Sequence, residues 1–374
     1  MTTHVFIVDE RSFKTHLEYL FVGTGSKEKD IDFNGVASSG LHFQTENCLI
    51  GMMSDFSRIR YNDYVIFYVQ ATTETEGKFY GIYQICSEPF YEQNGTYLKH
   101  NIGKKLTFRA LIKPFKVYAD GVSEWEALDE IKGIHSPNQM LWSLIYRKLK
   151  GNRGNTMITA YEACRLFHLI RIKNNNITIS GNSFSYKDGK QISSSNPSNS
   201  YTGNTSCAFN ILPRLIYKKQ NNKAYESHLQ MYITQNIGRN SSLDNALKVN
   251  SGKIEWLGNE VSCGVGMQRI DIMLSQDKDI VTKEIIPIEL KAVPASEDNI
   301  RQISRYIDWI EQYYIPNTPG IIRPVLICPK SKLSKNTIKA FNDFNTRSHG
   351  RYLPLEYIEI TDNGRDLIFT NTTY

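Results

Sequence analysis

Residues 266–274 read GMQRIDIML and residues 286–291 read IPIELK, and these two segments determine the predicted fold of the second half of the chain. In both segments apolar and polar side chains alternate, which is the period of a β-strand with one covered face. The apolar side chains share one face of each strand, and Asp271, Glu289 and Lys291 lie on the other. We therefore predict two neighbouring strands that present two carboxylates and one ammonium group together at a solvent-facing edge.

The chemistry of this group indicates a metal centre. An ionised carboxylate among apolar neighbours is costly unless a cation compensates its charge. Carboxylate oxygens are ligands for Mg²⁺ or Mn²⁺, which also bind water and substrate phosphate. Such an ion lowers the pKa of its water and neutralises charge on a phosphoryl group, and we expect Lys291 to orient or deprotonate that water. A Glu-x-Lys tripeptide alone is common by chance, and a surface ion pair is its alternative interpretation.

The segment that follows has helical spacing. An apolar stripe that would dock on the sheet consists of Ile300, Ile303, Ile307 and Ile310. Gln302 and Tyr306 lie one helical turn apart on a neighbouring stripe. We expect both of these side chains to reach the metal-bound water or the scissile phosphate, whereas Trp309 is assigned to packing.

In combination, these motifs resemble the PD-(D/E)XK nuclease superfamily. The RID run at 269–271, the IELK run at 288–291 and the Gln-x-x-x-Tyr helix at 302–306 are similar in particular to the catalytic domain of the NucS/EndoMS endonucleases, over residues 220–330. The resemblance implies a metal-dependent deoxyribonuclease. The metal ligands that it implies are Glu226, Asp271 and Glu289. The other catalytic residues that it implies are Lys291, Gln302 and Tyr306. A solvated helix surface is the alternative interpretation of Glu226.

The first half of the chain is predicted to be rich in β-structure, because short apolar runs alternate with polar turns. The strand signals are at residues 4–8, 64–69, 79–85 and 107–112. Over residues 1–120 their order resembles PUA-like or EVE-like barrels, which implies nucleic-acid binding and, in some members, an aromatic pocket for a flipped, modified base. The candidates for base recognition are Tyr61, Tyr64, Tyr68 and Tyr80. Core packing is the alternative role for each of these rings.

Basic residues are clustered rather than evenly spread. Residues 147–173 carry seven lysines and arginines against the single acid Glu162, and the net charge of the whole chain is +6 with a pI near 8.8. A second basic cluster lies at 99–116. We predict that basic side chains contact DNA phosphates, and the candidates are Arg109, Arg147, Lys148, Arg153 and Arg269. A solvated basic face is the alternative.

Residues 174–206 are rich in Ser, Asn and Gly, so that burial cannot offset the entropy of ordering them. We predict a flexible linker there, between a β-rich recognition domain with a basic helical extension at 1–173 and a nuclease domain at 207–374. The predicted fold class is a two-domain α+β or α/β protein. It combines a PUA-like β-barrel with helices and a PD-(D/E)XK fold whose mixed central sheet is flanked by helices.

Composition argues against several classes of protein. The six cysteines are scattered, with no CxxC pair and no neighbouring histidines, which argues against a zinc site or a disulfide framework and favours reduced thiols in the cytoplasm. The apolar runs are too short to cross a bilayer, and no secretory signal is visible. We therefore expect a cytoplasmic protein without membrane association.

The leading functional hypothesis is a Mg²⁺- or Mn²⁺-dependent endonuclease of the restriction type. It would hydrolyse phosphodiester bonds in double-stranded DNA and read a sequence or a modified base. Because one reaction centre cuts one strand, a homodimer is expected. Two alternatives stay open. One is a repair endonuclease of the NucS/EndoMS type that acts on mismatched or branched DNA, and the other is a nucleic-acid-binding protein with a vestigial nuclease fold.

Overall fold

The protein is mixed α+β, and its described residues form two compact units. Unit 1 comprises residues within Met1–Ile31 and Asp55–Phe209, and unit 2 comprises residues within Asp32–Ser54 and Asn210–Tyr374. The computed structural model describes residues 1–25, 43–94, 96–128, 133–145, 154–187, 191–196, 199–206, 208–263, 268–279 and 282–373. Within this part of the chain, none of the helices combines the length and the hydropathy needed to cross a bilayer.

The first part of the chain alternates short strands with helices. The elements up to residue 209 are β1 (Thr3–Val8), α1 (Glu10–Tyr19), β2 (Phe21–Thr24), α2 (Phe43–Ser57), β3 (Tyr64–Val69), β4 (Lys78–Ile85), β5 (Phe90–Tyr91), α3 (Lys99–Ile102), β6 (Phe108–Pro114), β7 (Val122–Ser123), α4 (Glu124–Leu128), α5 (Trp142–Ile145), β8 (Asn155–Ile158), α6 (Ala160–Lys173), β9 (Phe184–Lys187) and β10 (Gln191–Ser194). The strand signals of the sequence correspond to β1, β3, β4 and β6.

A curled eight-stranded sheet is the centre of unit 1. Its strand order is β2-β6-β4-β3-β1-β8, with β5 beside β6 and β7 beside β4. Only β1 and β3 are parallel among these pairs of described strands. The sheet forms a half-barrel where the sequence predicted a barrel. Aromatic rings pack against one face of it, where the Phe13 ring lies 5.2 Å from those of both Phe67 and Tyr80.

The described residues of the segment 174–206, which its composition predicted to be a flexible linker, belong to unit 1. They contain the β9–β10 hairpin, in which Phe184, Tyr186 and Ile192 are buried. The ring of Tyr186 lies 5.0 Å from that of Phe13. A few apolar side chains on one face of a hairpin anchor the segment even though its average apolar content is low. The described hairpin therefore belongs to unit 1, and unit 2 resumes at Asn210.

Unit 2 is built on a seven-stranded mixed sheet. Its elements are α7 (Leu212–Gln220), α8 (Glu226–Asn236), α9 (Ser241–Leu247), β11 (Ile254–Ser262), β12 (Arg269–Asp277), β13 (Lys283–Leu290), α10 (Glu297–Trp309), β14 (Gly320–Ile322), β15 (Val325–Pro329), α11 (Lys335–Thr346), β16 (Glu356–Asp362) and β17 (Leu367–Thr372). The strand order is β11-β12-β13-β15-β16-β17, with β14 beside β13. The β13-β15-β16 pairs are parallel, and the β11-β12-β13 and β16-β17 pairs are antiparallel.

The two strands that carry the predicted site are covered on both faces. Ile272 and Ile288 are fully buried, as the alternating pattern predicted, but so are Met273 and Ile285 on the opposite face. Helix α8 contacts β12 and β13, and α10 contacts β13. The prediction that Glu289 lies at a solvent-facing edge is wrong, because Glu289 has no exposed surface. Central strands of a sheet with helical cover bury even polar positions, which a single strand pattern does not reveal.

Candidate functional site

Asp271 and Glu289 stand side by side on adjacent strands. β12 and β13 are antiparallel with Ile272 opposite Ile288, so that the next opposed pair is Asp271 and Glu289. Opposed residues have Cβ atoms about 4.5–5.5 Å apart on one face of a sheet. Asp271 Oδ2 accepts a 2.8 Å hydrogen bond from the N–H of Leu290. The strand register thus brings the two predicted carboxyl groups together.

Lys291 lies between two carboxyl groups. Its Nζ is 2.6 Å from Oε1 of Glu289 and 3.7 Å from Oε1 of Glu226. Glu226 is the first residue of α8, and 46% of its side chain is exposed, whereas the side chain of Glu289 is wholly buried. The ammonium group of Lys291 is therefore shared by the buried carboxylate of Glu289 and the solvent-accessible carboxylate of Glu226. When Asp271 is also ionised, the group carries an excess of negative charge.

Burial and neighbouring charges shift the protonation of all three central groups. Burial first, and then the charge of Glu289, raises the pKa of Asp271 well above its ordinary value. Burial also raises the pKa of Glu289, against the opposing effect of Lys291. Burial alone lowers the pKa of Lys291, but the carboxylates of Glu289 and Glu226 outweigh it and raise that pKa. Lys291 is therefore an ammonium ion at neutral pH, and any added positive charge favours the ionised forms of Asp271 and Glu289.

The phenol of Tyr306 connects α10 to both strands. Its single O–H proton faces two acceptors, Glu289 Oε2 at 2.8 Å and the Arg269 carbonyl at 2.7 Å. Its oxygen in turn accepts a hydrogen bond from Gln302 Nε2. Tyr306 has no exposed surface, so that it does not reach a substrate phosphate as the sequence predicted. The arrangement instead fixes the orientation of the Glu289 carboxylate, with Gln302 acting through Tyr306.

The residues present fit a hard divalent cation only in part. Among the described residues, no three His, Cys, Asp or Glu side chains come close enough together to form a metal-binding group. Glu226, the implied third ligand, pairs with Lys291 at 3.7 Å instead. Asp271 and Glu289 remain, and Mg²⁺ is commonly held by one or two carboxylates with water and substrate phosphate. The buried Glu289 and the half-buried Asp271, both with raised pKa, match this donor set.

A polar network that the sequence reasoning missed supports Asp271 from the other side. Gln230 Nε2 donates to the Asp271 carbonyl at 2.9 Å and to Glu260 Oε1 at 3.1 Å. Glu260 Oε2 in turn pairs with Arg269 at 2.7 Å. Glu260 has a positive φ of 51°, between ladder pairs of β11 and β12, where a non-glycine residue is uncommon. The sequence contained one signal for a role of Gln230 at this site, because Gln230 lies one helical turn after the predicted ligand Glu226.

The predicted phosphate contacts have different outcomes. Arg109 is only 1% exposed and is wrongly assigned, because its guanidinium donates to the carbonyls of Leu106 and Tyr97 and to the hydroxyl of Tyr201. The ring of Phe21 also lies 5.1 Å from it. Aromatic rings and acceptors therefore hold this charge inside unit 1. Arg269 is partly exposed and paired with Glu260. Arg147, Lys148 and Arg153 lie outside the described residues.

The four tyrosines predicted to recognise a base do not form one pocket. Tyr68 and Tyr80 are core residues, since they are at most 2% exposed and their hydroxyls bond to Glu124 Oε2 at 2.7 Å and to the Tyr186 hydroxyl at 3.0 Å. Tyr64 is half-buried. Tyr61 is 55% exposed. The core interpretation therefore holds for two of the rings, and only Tyr61 and Tyr64 present surface to a ligand.

Comparison with known proteins gives only faint structural similarity. The sequence matches no protein-family model, and no curated protein matches it in sequence. The crystal structure of the human THYN1 protein in complex with DNA containing 5-methylcytosine is similar over the N-terminal part, with a TM-score of 0.26 and 9% sequence identity. The similar region covers 45% of this chain and 96% of that one. A similarity at this level carries no functional argument.

Proposed function

We propose that the protein is a divalent-metal-dependent deoxyribonuclease, a phosphodiester hydrolase whose reaction centre is formed by Asp271, Glu289 and Lys291. The observation that carries the proposal is a pair of carboxyl groups with raised pKa, Glu289 buried and Asp271 half-buried, beside a charged lysine. Titratable groups perturbed by burial and by a specific charge partner concentrate at functional sites. The resemblance of the RID, IELK and Gln-x-x-x-Tyr motifs to PD-(D/E)XK nucleases supplies the reaction class.

Each residue has a defined task in the proposed reaction. Mg²⁺ or Mn²⁺, when bound, supplies charge neutralisation and a water of lowered pKa. Asp271 and Glu289 offer the carboxylate oxygens that would hold the ion, and Tyr306 keeps Glu289 oriented. Lys291 carries its proton at neutral pH because its pKa is raised by the neighbouring carboxylates. Its task is therefore to stabilise negative charge on the phosphate and to orient water, rather than to act as the general base.

The proposed substrate is double-stranded DNA, cut in the manner of a restriction endonuclease that reads a sequence or a modified base. A net charge of +6 suits a polyanionic partner. Cleavage of both strands requires two reaction centres, which leads us to propose a homodimer. Matched, mismatched, branched and methylated duplexes of one sequence distinguish the candidates. A repair endonuclease would leave the matched duplex intact, whereas a restriction-type enzyme needs no defect.

The test of the proposed activity is cleavage of supercoiled plasmid in Mg²⁺ or Mn²⁺. Lys291→Ala is expected to reduce the rate at least about 100-fold, because it removes the group that stabilises charge on the phosphate. Lys283→Ala is the matched control, since Lys283 is the first residue of β13, the strand that ends just before Lys291, and it pairs with Glu255. Wild type is expected to be inactive in EDTA. Equal rates for wild type and Lys291→Ala would overturn the assignment.

A second candidate function is DNA binding by a vestigial site, and one observation favours it. The Lys291 ammonium already compensates Glu289 at 2.6 Å, and the described residues contain no group of three metal-ligating side chains. Calorimetric titration with Mn²⁺, in the presence of DNA and without it, separates the two candidates. Binding of Mn²⁺ that is lost in Glu289→Gln supports the enzyme. An absence of binding under both conditions supports the vestigial site.

A further inference from the structure

Unit 1 carries a cluster of aromatic and basic side chains, four of them exposed and two half-buried, which we call the aromatic-basic surface. It consists of Tyr61, Tyr64, Lys113, Phe115, Lys116 and Phe167. Tyr61 is 55% exposed and Phe115 is 45% exposed. Single apolar side chains on a surface need no explanation, but a group of adjacent exposed rings indicates an interaction site.

The two exposed rings belong to one local surface. The Nζ atom of Lys113 lies 5.8 Å from the centre of the Tyr61 ring, and that of Lys116 lies 5.7 Å from the centre of the Phe115 ring. Lys113 precedes Phe115 by two residues, so that the chain itself keeps the two rings close together. Each exposed ring is therefore accompanied by an ammonium group.

Inner rings support the exposed ones. The Phe115 ring packs 5.1 Å from that of Tyr64, which packs 5.5 Å from that of Phe167. Tyr64 and Phe167 in turn pack against the hydrophobic core of unit 1. Phe115 is thus held in place before any ligand arrives, and a ligand that stacks on it loses little affinity to ordering the side chain.

The charge of the surface is positive. Lys113 and Lys116 are both exposed, and within the described part of the chain neither ammonium lies within ion-pair distance of a carboxylate. Exposed rings beside lysines without acidic partners match a ligand that has flat apolar faces and regularly spaced negative charges. Single-stranded nucleic acid has both features, because its unpaired bases expose their faces next to phosphates.

We propose that the aromatic-basic surface binds single-stranded DNA, with bases stacked on Tyr61 and Phe115 and phosphates close to Lys113 and Lys116. A paired duplex buries the faces of its bases, so that it cannot use the exposed rings. The choice of DNA rests on the proposed function. The proposal deepens that function, since it assigns to unit 1 the binding of a locally opened strand.

Fluorescence anisotropy with a labelled oligothymidylate of about 15 nucleotides tests the proposal directly. The titrations are made with the full chain in EDTA, so that binding is measured without cleavage and either proposal can fail alone. Tyr61→Ala and Phe115→Ala are each expected to weaken binding at least about fivefold. Trp125→Ala is the matched control, because Trp125 is a 63% exposed ring of unit 1 outside this surface. Circular dichroism verifies that each variant is folded.

The two lysines are tested by the salt dependence of the same binding. The double variant Lys113→Ala/Lys116→Ala is expected to make the negative slope of log K against log salt shallower by about 1.4, at about 0.7 for each lost contact with a single strand. Tighter binding to a duplex of equal length, or to oligouridylate, would overturn the assignment to single-stranded DNA. Unchanged affinity in both ring variants would overturn the stacking role.

Discussion

Replacing Tyr306 by phenylalanine removes one buried oxygen and leaves the ring in place. That oxygen donates to Glu289 Oε2 or to the Arg269 carbonyl and accepts from Gln302. A hydrogen bond to a charged partner contributes about 1.5–3 kcal/mol, and a neutral one about 1 kcal/mol. Because Glu289 has no exposed surface, water does not readily replace the lost donor. We therefore expect the free energy of unfolding to fall by about 2.5–4 kcal/mol.

Urea-induced unfolding in EDTA, followed by circular dichroism, measures this loss. Tyr83→Phe is the control, since the Tyr83 hydroxyl is buried and has no hydrogen-bond partner among the described residues. The control is expected to change stability by less than about 0.5 kcal/mol. If Tyr306→Phe loses no more than the control, the phenol does not hold Glu289. In the cleavage assay, we expect the same substitution to reduce the rate about tenfold, as for other groups that orient a metal ligand.

Three further substitutions test the energetics of buried groups. Burial lowers the pKa of His16 to about 3. Between about pH 6.5 and 3 only the unfolded chain therefore binds a proton at this histidine, and the free energy of unfolding decreases as the pH falls. His16→Phe is expected to remove up to about 4–5 kcal/mol of this pH-dependent loss, as measured by urea titrations across that pH range. An unchanged dependence of stability on pH would contradict the prediction. Asp271→Asn is expected to stabilise the protein in EDTA by about 1 kcal/mol, because it ends the repulsion with Glu289 and keeps an acceptor for the N–H of Leu290. A decrease in the free energy of unfolding would contradict this prediction. Gln230→Ala should lower the free energy of unfolding by about 1–2 kcal/mol, since it leaves the Asp271 carbonyl without its donor, and wild-type stability would show that the bond contributes nothing.

The elements that carry the candidate site were predictable because their signals are local. Alternating residues around Asp271 and Glu289 specified β12 and β13, and the helical spacing of Gln302 and Tyr306 specified α10. The start of α6 carries a similar local signal, since Thr159 is followed three residues later by Glu162 and the two form a capping box. A period of two or of 3.6 residues can be read from a few neighbouring positions.

The remaining features depend on residues that are distant in sequence. Arg109 was assigned to DNA, but the acceptor that Tyr201 supplies lies 92 positions away. Tyr80 was assigned to base recognition, but its hydrogen-bond partner Tyr186 lies 106 positions away in a segment predicted to be a linker. Gln230 was missed because its acceptor, the carbonyl of Asp271, is 41 positions away. Exposure is a property of the assembled fold, which local periodicity does not contain.

The central claim is that Asp271 and Glu289 form a metal-dependent centre of DNA cleavage. The most direct measurement is the single-turnover rate of duplex cleavage in Mg²⁺ for wild type, Glu289→Gln and Glu255→Gln. Glu255 is the matched control, since it is a glutamate of the same sheet that pairs with Lys283. We predict a loss of at least about 100-fold for Glu289→Gln and a wild-type rate for Glu255→Gln. Equal rates for all three proteins, or equal rates for wild type with Mg²⁺ and with EDTA, would contradict the claim.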